Sequence, residues 1–508
     1  MSETIKLNLY ALNEIRKIDP ALTSYNIEMT EVTGGTFWKA YTPEQVAGIE
    51  EYTETESLSN PESMHEYFPP IDLNGERIRT LAKALGPVWV RTSGTWATKT
   101  YYDFDGHTKD KAPEGFQNIL TKAQWEGVLD FVKAVDGKLL ISVANCSGVH
   151  NEDGTWNSDQ AKLLFDYSIA YGVPIAAVEF MNEPNLLAMS GAPAGYTLEE
   201  FCRDQDAFFR FVKENYPEVL LVGPAATCDT PENIDDMDNG SADVLASLPI
   251  ISTRDIMKTT EVMPDIMSYH YYNGVSERGA AMGGHWNPKD ATSEKYLEVC
   301  VDTCSIYLPI RDKYCPGAQL WVTESGEAAC GGSTWASTYM DVIRTINELG
   351  RFATLTDGII FHNTLASSDY GWLDHATYLP RPSYWAVLLW SKLMGTTVYD
   401  TKEPLREGAH VYAHSRKDGK DGVVYVIINN SLTEETTVEL PKNAQRYTLS
   451  APAIRATEIL LNGKKLEMVD DATLPEFVPI EEKAGTITLA PATVTFLVID
   501  ELLLDKMV

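Results

Sequence analysis

At 508 residues the chain is too long for one ordinary globular domain and suits a large barrel with inserted loops plus one further domain. Hydrophobic residues make up 44% and charged residues 22%, with 34 glycines and 26 prolines, so a sizeable core can form and the disordered and fibrous classes are excluded. Forty-one Lys and Arg against 73 Asp and Glu leave a formal charge of -32, which repels polyanions and makes nucleic acid a poor partner.

The alternating opening TIKLNLYAL (4–12) reads as a strand that joins a later β domain. From about residue 20 to 395, short apolar runs alternate with longer amphipathic stretches, the rhythm of an α/β fold. Eight strands are predicted: TSYNIEM (23–29), PVWVRT (87–92), KLLISVAN (138–145), AAVEFMN (176–182), VLLVGP (219–224), DIMSYHY (265–271), QLWVTES (319–325) and DGIIFHN (357–363). Between them lie helix-like segments such as TKAQWEGVLDFVKAV, DQAKLLFDYSIAYG and TWASTYMDVIRTINELG, the last two each expected to close at their final glycine. Eight such units predict a (β/α)8 TIM barrel, whose site lies at the C-terminal strand ends.

After the helix-like PSYWAVLLWSKLMG (382–395) the pattern changes to short alternating strands, HVYAHSR, GVVYVIINN, TTVELP, RYTLSA, TEILLNG, GTITLA and TVTFLVID. This predicts a C-terminal antiparallel β-sandwich over 396–508, joined by a strand from 1–19. The basic stretch HSRKDGKDG (414–422) is interleaved with Asp and Gly and reads as a solvated hairpin, not a phosphate track.

Seven scattered cysteines with no C-x-x-C pair make a disulfide framework improbable, and the histidines are too isolated to suggest a metal site. No cofactor is expected. The first residues lack a basic start followed by an apolar stretch, and no run of about 18 apolar residues occurs, so no membrane association is expected. A cytoplasmic location is expected, or a secreted or periplasmic one for a chain whose signal peptide has been removed.

Predicted strand four ends in VEFMNEPN, with Glu183 just past the last apolar residue, and strand seven ends in LWVTES, with Glu324 in the corresponding position. Two carboxylates at the mouths of two barrel strands are what retaining glycoside cleavage requires, one as general acid and base and one as nucleophile about 5 to 5.5 Å away.

These motifs resemble heparanase and its relatives, family 79 of the glycoside hydrolases within clan A. NEPN after strand four, HYYNG after strand six, WVTES followed by Gly331 and Gly332, DYGWLD after strand eight and the helix PSYWAVLLWSKLMGT carry the resemblance, and LNGKKLEMVDDATLP (461–475) is similar to the corresponding strand and turn of that family's C-terminal β-sandwich. The resemblance is colinear over most of the chain. It implies a retaining β-glucuronidase, with Glu183 as acid and base, Glu324 as nucleophile and Asn182 as a neighbour of the sugar's 2-hydroxyl. It also implies that Tyr272 donates to Glu324, that His270 sits beside it, and that Thr95 and Glu28 line the cleft. Arg91 is a plausible charge partner of the nucleophile. Gly331 and Gly332 match a glycine pair whose amides hold the uronic carboxylate, and Tyr370 matches a tyrosine facing the same group.

The sequence departs from the family where an extra residue separates Glu324 from the glycines, where Ala329 and Cys330 replace Tyr-Gly, and where strand eight reads FHN in place of Arg-Gln. Of Trp38, Trp96, Trp286, Trp335 and Trp372, which follow strands, one or two are expected to stack on sugar and the rest to pack. Endo-cleavage of a glucuronic-acid polysaccharide, a preference for a neutral sugar and a non-catalytic carbohydrate-binding role stay open. The -32 charge disfavours a sulfated polymer, and the loop SERGAAMGGHWNPKDATSEK (276–295) is a candidate for partly closing the cleft.

Overall fold

A computed structural model describes residues 4–9, 12–53, 61–109, 111–229 and 250–500. All eight predicted strands form: β1 (Thr23–Asn26), β2 (Trp89–Thr92), β3 (Lys138–Ser142), β4 (Ala177–Glu179), β5 (Leu220–Ala226), β6 (Ile266–Tyr272), β7 (Leu320–Gly326) and β8 (Ile360–His362). They pair in parallel and close into a barrel, with β8 against β1. The floor of the barrel is apolar, built from Trp89, Leu140, Val222, Trp321 and Phe361. Alternation along each strand then carries Arg91 and Glu179 into the interior one layer above Trp89 and Ala177.

The helices follow local signals. Thr121 and Gln124 form a capping box at the start of Lys122–Ala134, and Gly172, left-handed at φ 88°, closes Asp159–Tyr171. The third expectation fails. Helix Met340–Leu355 starts later than predicted and runs through Gly350, because a Cβ there would come within 2.4 Å of the Tyr412 ring, so the glycine serves close packing and not termination. Two further pairings had no clear alternation in sequence: the antiparallel pair of Gly35–Trp38 with His65–Phe68, and the parallel pair Thr100–Asp103 with Asn118–Thr121.

Strands from residue 394 onward, joined by one from the N-terminus, form a larger sheet whose order begins with Asn13–Lys17, Met394–Asp400, His410–Arg416, Gly422–Asn429, Thr493–Asp500 and Ala444–Ser450. A smaller sheet joins Ile5–Lys6, Thr436–Leu440 and Gly485–Leu489. The strand Gly422–Asn429 is buried throughout. Its Val423, Tyr425 and Ile427 face the smaller sheet, while Val424, Val426 and Ile428 join the core of the barrel and its helices. The Tyr339 hydroxyl bridges to the carbonyls of Leu449 at 2.8 Å and Ala492 at 3.0 Å, tying the barrel to the sandwich. The 414–422 segment spans the hairpin turn between His410–Arg416 and Gly422–Asn429, and all seven cysteines are free. Among the described residues no helix is long and apolar enough to cross a membrane.

Candidate active site

Glu183 and Glu324 reach the same mouth by different routes. β4 stops at Glu179, and the chain leaves the sheet so that Glu183 stands at φ 48°, immediately before the short helical turn Pro184–Leu186. Glu324 stays within β7, where the register against β6 shifts: Tyr269 pairs with Val322 but His270 pairs with Glu324, leaving Thr323 as the extra residue of a bulge. One oxygen of Glu183 lies within 4.8 Å of one of Glu324.

Glu324 is held at both oxygens. Tyr272 donates to Oε1 at 2.5 Å, with the Asn363 amide at 3.4 Å, and Arg91 donates to Oε2 at 3.3 Å. Arg91 is fully buried and also donates to Glu179 Oε2 and to Asn182 Oδ1, each at 2.9 Å. Burial opposes its charge, but the Glu179 and Glu324 carboxylates outweigh that and hold the guanidinium above its ordinary pKa. Since arginine only donates, Asn182 must turn its oxygen to Arg91, which leaves its amide hydrogens for a ligand.

His270, isolated in sequence spacing, sits between the two glutamates. Its Nε2 is 3.3 Å from Arg91 Nη2, so Nε2 accepts and Nδ1 carries the proton. That Nδ1 donates to Glu183 Oε1 at 2.9 Å and lies 3.5 Å from Glu324 Oε2. In that tautomer the ring presents a donor to both carboxylates.

Glu28, just beyond β1 and before helix α1 (Met29–Thr33), is buried against Gly94, where a Cβ would meet its Oε2 at 1.6 Å. Burial and then the charge of Glu324 push its carboxyl well above the usual range. Tyr370 is buried, its ring stacked on Tyr272 at 6.2 Å, and its hydroxyl accepts from the Asn363 amide at 3.2 Å. Thr95 lies half-buried on the turn after β2 and makes no hydrogen bond to either glutamate among the described contacts.

One expectation needs correction. Gly331 and Gly332 do not offer two free amides, because Gly332 donates to the Ala328 carbonyl at 3.1 Å. Their positive φ values, 85° and 87°, and their tight contacts explain the residue type: a Cβ on Gly331 would lie 2.7 Å from Trp38, and one on Gly332 would lie 2.8 Å from Ala336. Trp335 and Trp372 are core residues, the latter stacked on His362 at 4.3 Å. Burial lowers the His362 pKa to about 3, so it is a neutral ring bonded to the Tyr370 carbonyl. Trp38 is half-buried and packs beside Gly331. Trp96 lies under the Lys99 ammonium, and the Trp286 indole donates to Asn273.

Sequence reasoning missed Glu179, Asn363 and Asn26. Glu179, fully buried, also accepts from Ser268 at 3.2 Å and counterbalances Arg91. Asn363 donates to Tyr272, Glu324 and Tyr370, with its own oxygen fixed by Asn26 at 3.2 Å. A lone Glu inside the apolar run AAVEF was the available signal for Glu179.

No protein-family model matches the chain. It is 25% identical to a hyaluronoglucuronidase of Hirudo nipponia over 493 residues, covering 88% of this chain and 93% of that protein. It is 22% identical to a baicalin-beta-D-glucuronidase of Scutellaria baicalensis, covering 84% of each, and 24% identical to a heparanase of Mus musculus, covering 83% and 84%. In fold it is similar to a 4-O-alpha-L-rhamnosyl-beta-D-glucuronidase of Fusarium oxysporum 12S, with TM-score 0.60, 12% identity and coverage of 97% of this chain and 100% of that one. The likeness to heparanase and its relatives thus runs across most of the chain, and it supports a heparanase-like glycosidase.

Proposed function

We propose that this chain is a retaining β-glucuronidase that removes terminal β-D-glucuronosyl groups, with Glu183 as acid and base and Glu324 as nucleophile. The observation that carries the reading is that one oxygen of Glu183 lies within 4.8 Å of one oxygen of Glu324. Retaining enzymes hold theirs about 5 to 5.5 Å apart, whereas inverting enzymes need about 6.5 to 9.5 Å to seat a water between carboxylate and sugar.

In the first step Glu324 attacks C1 of the sugar while Glu183 gives its proton to the glycosidic oxygen. The C1–O bond breaks, the aglycone leaves as an alcohol, and a glycosyl ester of Glu324 remains. Glu183 then takes a proton from water, the water oxygen attacks C1, and the ester bond breaks to restore both carboxyl groups. Tyr272 and Arg91 keep the nucleophile oriented between turnovers. Asn182, its oxygen pinned by Arg91, donates to the 2-hydroxyl. Tyr370, already accepting from Asn363, has its phenolic proton left to donate to the C6 carboxylate, joined there by the Gly331 amide.

A panel of 4-nitrophenyl β-glycosides that differ only at C5 tests the reading. Preference for the glucuronide supports it. Equal or better turnover of the glucoside leaves a neutral-sugar β-glycosidase, and no turnover of any member leaves a carbohydrate-binding protein.

A second reading is internal cleavage of a glucuronic-acid polysaccharide, which the relatives named heparanase and hyaluronoglucuronidase favour. The charge of -32 weighs against a sulfated chain. Product sizing separates the two, since an exo enzyme releases monosaccharide from the start and an endo enzyme releases mixed oligosaccharides.

A further inference from the structure

Beneath the 330–332 turn lies a cation that the proton transfers do not use. Arg278, on the helical turn Glu277–Met282 within the loop after β6, is 1% exposed. Its Nη1 donates to the carbonyls of Cys330 at 3.1 Å and Gly332 at 3.0 Å, and its Nη2 donates to the Lys39 carbonyl and to Asp369 Oδ2, both at 2.6 Å. The Tyr41 ring covers the guanidinium at 3.7 Å, and the Tyr41 hydroxyl reaches the Gly332 carbonyl at 3.1 Å.

The turn itself has three successive residues at positive φ, Cys330 at 63°, Gly331 at 85° and Gly332 at 87°. A non-glycine residue keeps such a conformation when its surroundings over-determine it. Here every carbonyl of the turn is held: those of Cys330 and Gly332 by Arg278, and that of Gly331 by the amides of Asp369 at 3.1 Å and Tyr370 at 3.3 Å. The Gly332 amide is committed to Ala328, so the amides of Cys330 and Gly331 are the donors that no described hydrogen bond uses.

We propose that Arg278 is the positioning residue for uronic-acid recognition: by gripping the Cys330 and Gly332 carbonyls from behind, it fixes the Cys330 and Gly331 amides as a donor pair for the substrate's C6 carboxylate. The proposal rests on the glucuronidase reading and adds the Cys330 amide to the donors, Gly331 amide and Tyr370 hydroxyl, that reading already assigns to the carboxylate. A planar fork spans three carbonyls and a carboxylate at once; an ammonium is a point charge that holds one of them well. The Asp369 end of the clamp adjoins Tyr370, so one ion pair orders both sides of the carboxylate site.

The test compares Arg278→Gln and Arg278→Lys on 4-nitrophenyl β-glucuronide and the matching β-glucoside. The glutamine variant should raise KM for the glucuronide about ten-fold to a hundred-fold with kcat little changed, and should leave kcat/KM for the glucoside nearly unaltered. The lysine variant should recover part of the loss. Equal losses on both substrates, or an unchanged glucuronide-to-glucoside ratio, would overturn the proposal. If Arg278→Gln does not fold, Asp369→Asn keeps the guanidinium in place while weakening its anchor, and should raise the glucuronide KM by a smaller factor with the glucoside unaffected; an unchanged ratio there is equally fatal. Failure of the parent reading looks different, since the unmodified enzyme would then show no glucuronide preference.

Discussion

Replacing Glu183 by alanine separates acid catalysis from nucleophilic attack, and the geometry indicates how cleanly. Glu324 keeps its bonds from Tyr272, Asn363 and Arg91, none of which passes through Glu183. His270 loses its 2.9 Å acceptor, but its Nδ1 already lies 3.5 Å from Glu324 Oε2 and can turn there. Loss of a positioned general acid typically costs about 10²-fold to 10⁴-fold, or roughly 3 to 5 kcal/mol of barrier. A 2,4-dinitrophenyl glucuronide needs no protonation to leave, so its first step should stay near the unmodified rate while hydrolysis of the glycosyl ester slows by that factor. Rapid-mixing absorbance should then record a burst of one equivalent of dinitrophenol. The Glu183 side chain is 21% exposed, so the space it vacates is open to small anions from solvent. Azide should enter there, attack the ester from the face Glu183 had occupied, and give a β-configured glucuronosyl azide. An α-azide product, or an activated substrate slowed as severely as an alkyl glucuronide in its first step, would refute the assignment of roles.

Arg91→Met should destabilise the fold by about 3 to 5 kcal/mol, because it strands Glu179 and Glu324 without their shared cation; thermal unfolding should improve again when Glu179→Gln is added, and additive losses would show that the pairing carries no weight. Burial raises Glu31 to about 7 and Glu327 to about 8 from 4.5, so the native state binds more protons than the unfolded chain between these values. Stability should therefore fall as pH rises from about 5 to 8, with 1.36 kcal/mol per shifted unit as an upper bound, and Glu327→Gln should flatten the slope measured by denaturant titration. Truncation near residue 395 should yield insoluble protein, because it uncovers the barrel-side residues that Val424, Val426, Ile428 and Phe496 pack against; a soluble, active barrel fragment would show the sheet to be a mere appendage.

The architecture was legible because barrel strands are short apolar runs between capped amphipathic helices, and no other common arrangement uses eight of them. Strand ends were less so. AAVEFMN promised seven residues of ladder and three form it, since the residues that follow turn out of the sheet to aim Asn182 and Glu183. Gly350 misled for the opposite reason: nothing local marks a glycine whose missing Cβ is needed by Tyr412, some sixty residues downstream. The strand Met394–Asp400 was hidden because it follows its helix directly, with no turn residue between. In the site, residues adjacent to recognisable motifs were found, whereas Asn363, Asn26 and Arg278 act through partners far away in sequence and leave no local pattern.

Glu324 illustrates the limit most sharply. Along a regular strand, Trp321 and Thr323 would share one face of β7 and Leu320, Val322 and Glu324 the other. Trp321 belongs to the barrel floor, so strict alternation would send Glu324 outward among the helices, away from Glu183. The bulge at Thr323 adds one residue and reverses the faces from there on, which brings Glu324 inward opposite His270. Its neighbours then follow from the new phase: Ser325 points outward to the buried Glu348 on helix Met340–Leu355, a contact that anchors the strand on its far side. The motif named the carboxylate, but only the register between β6 and β7 decides that it faces the sugar.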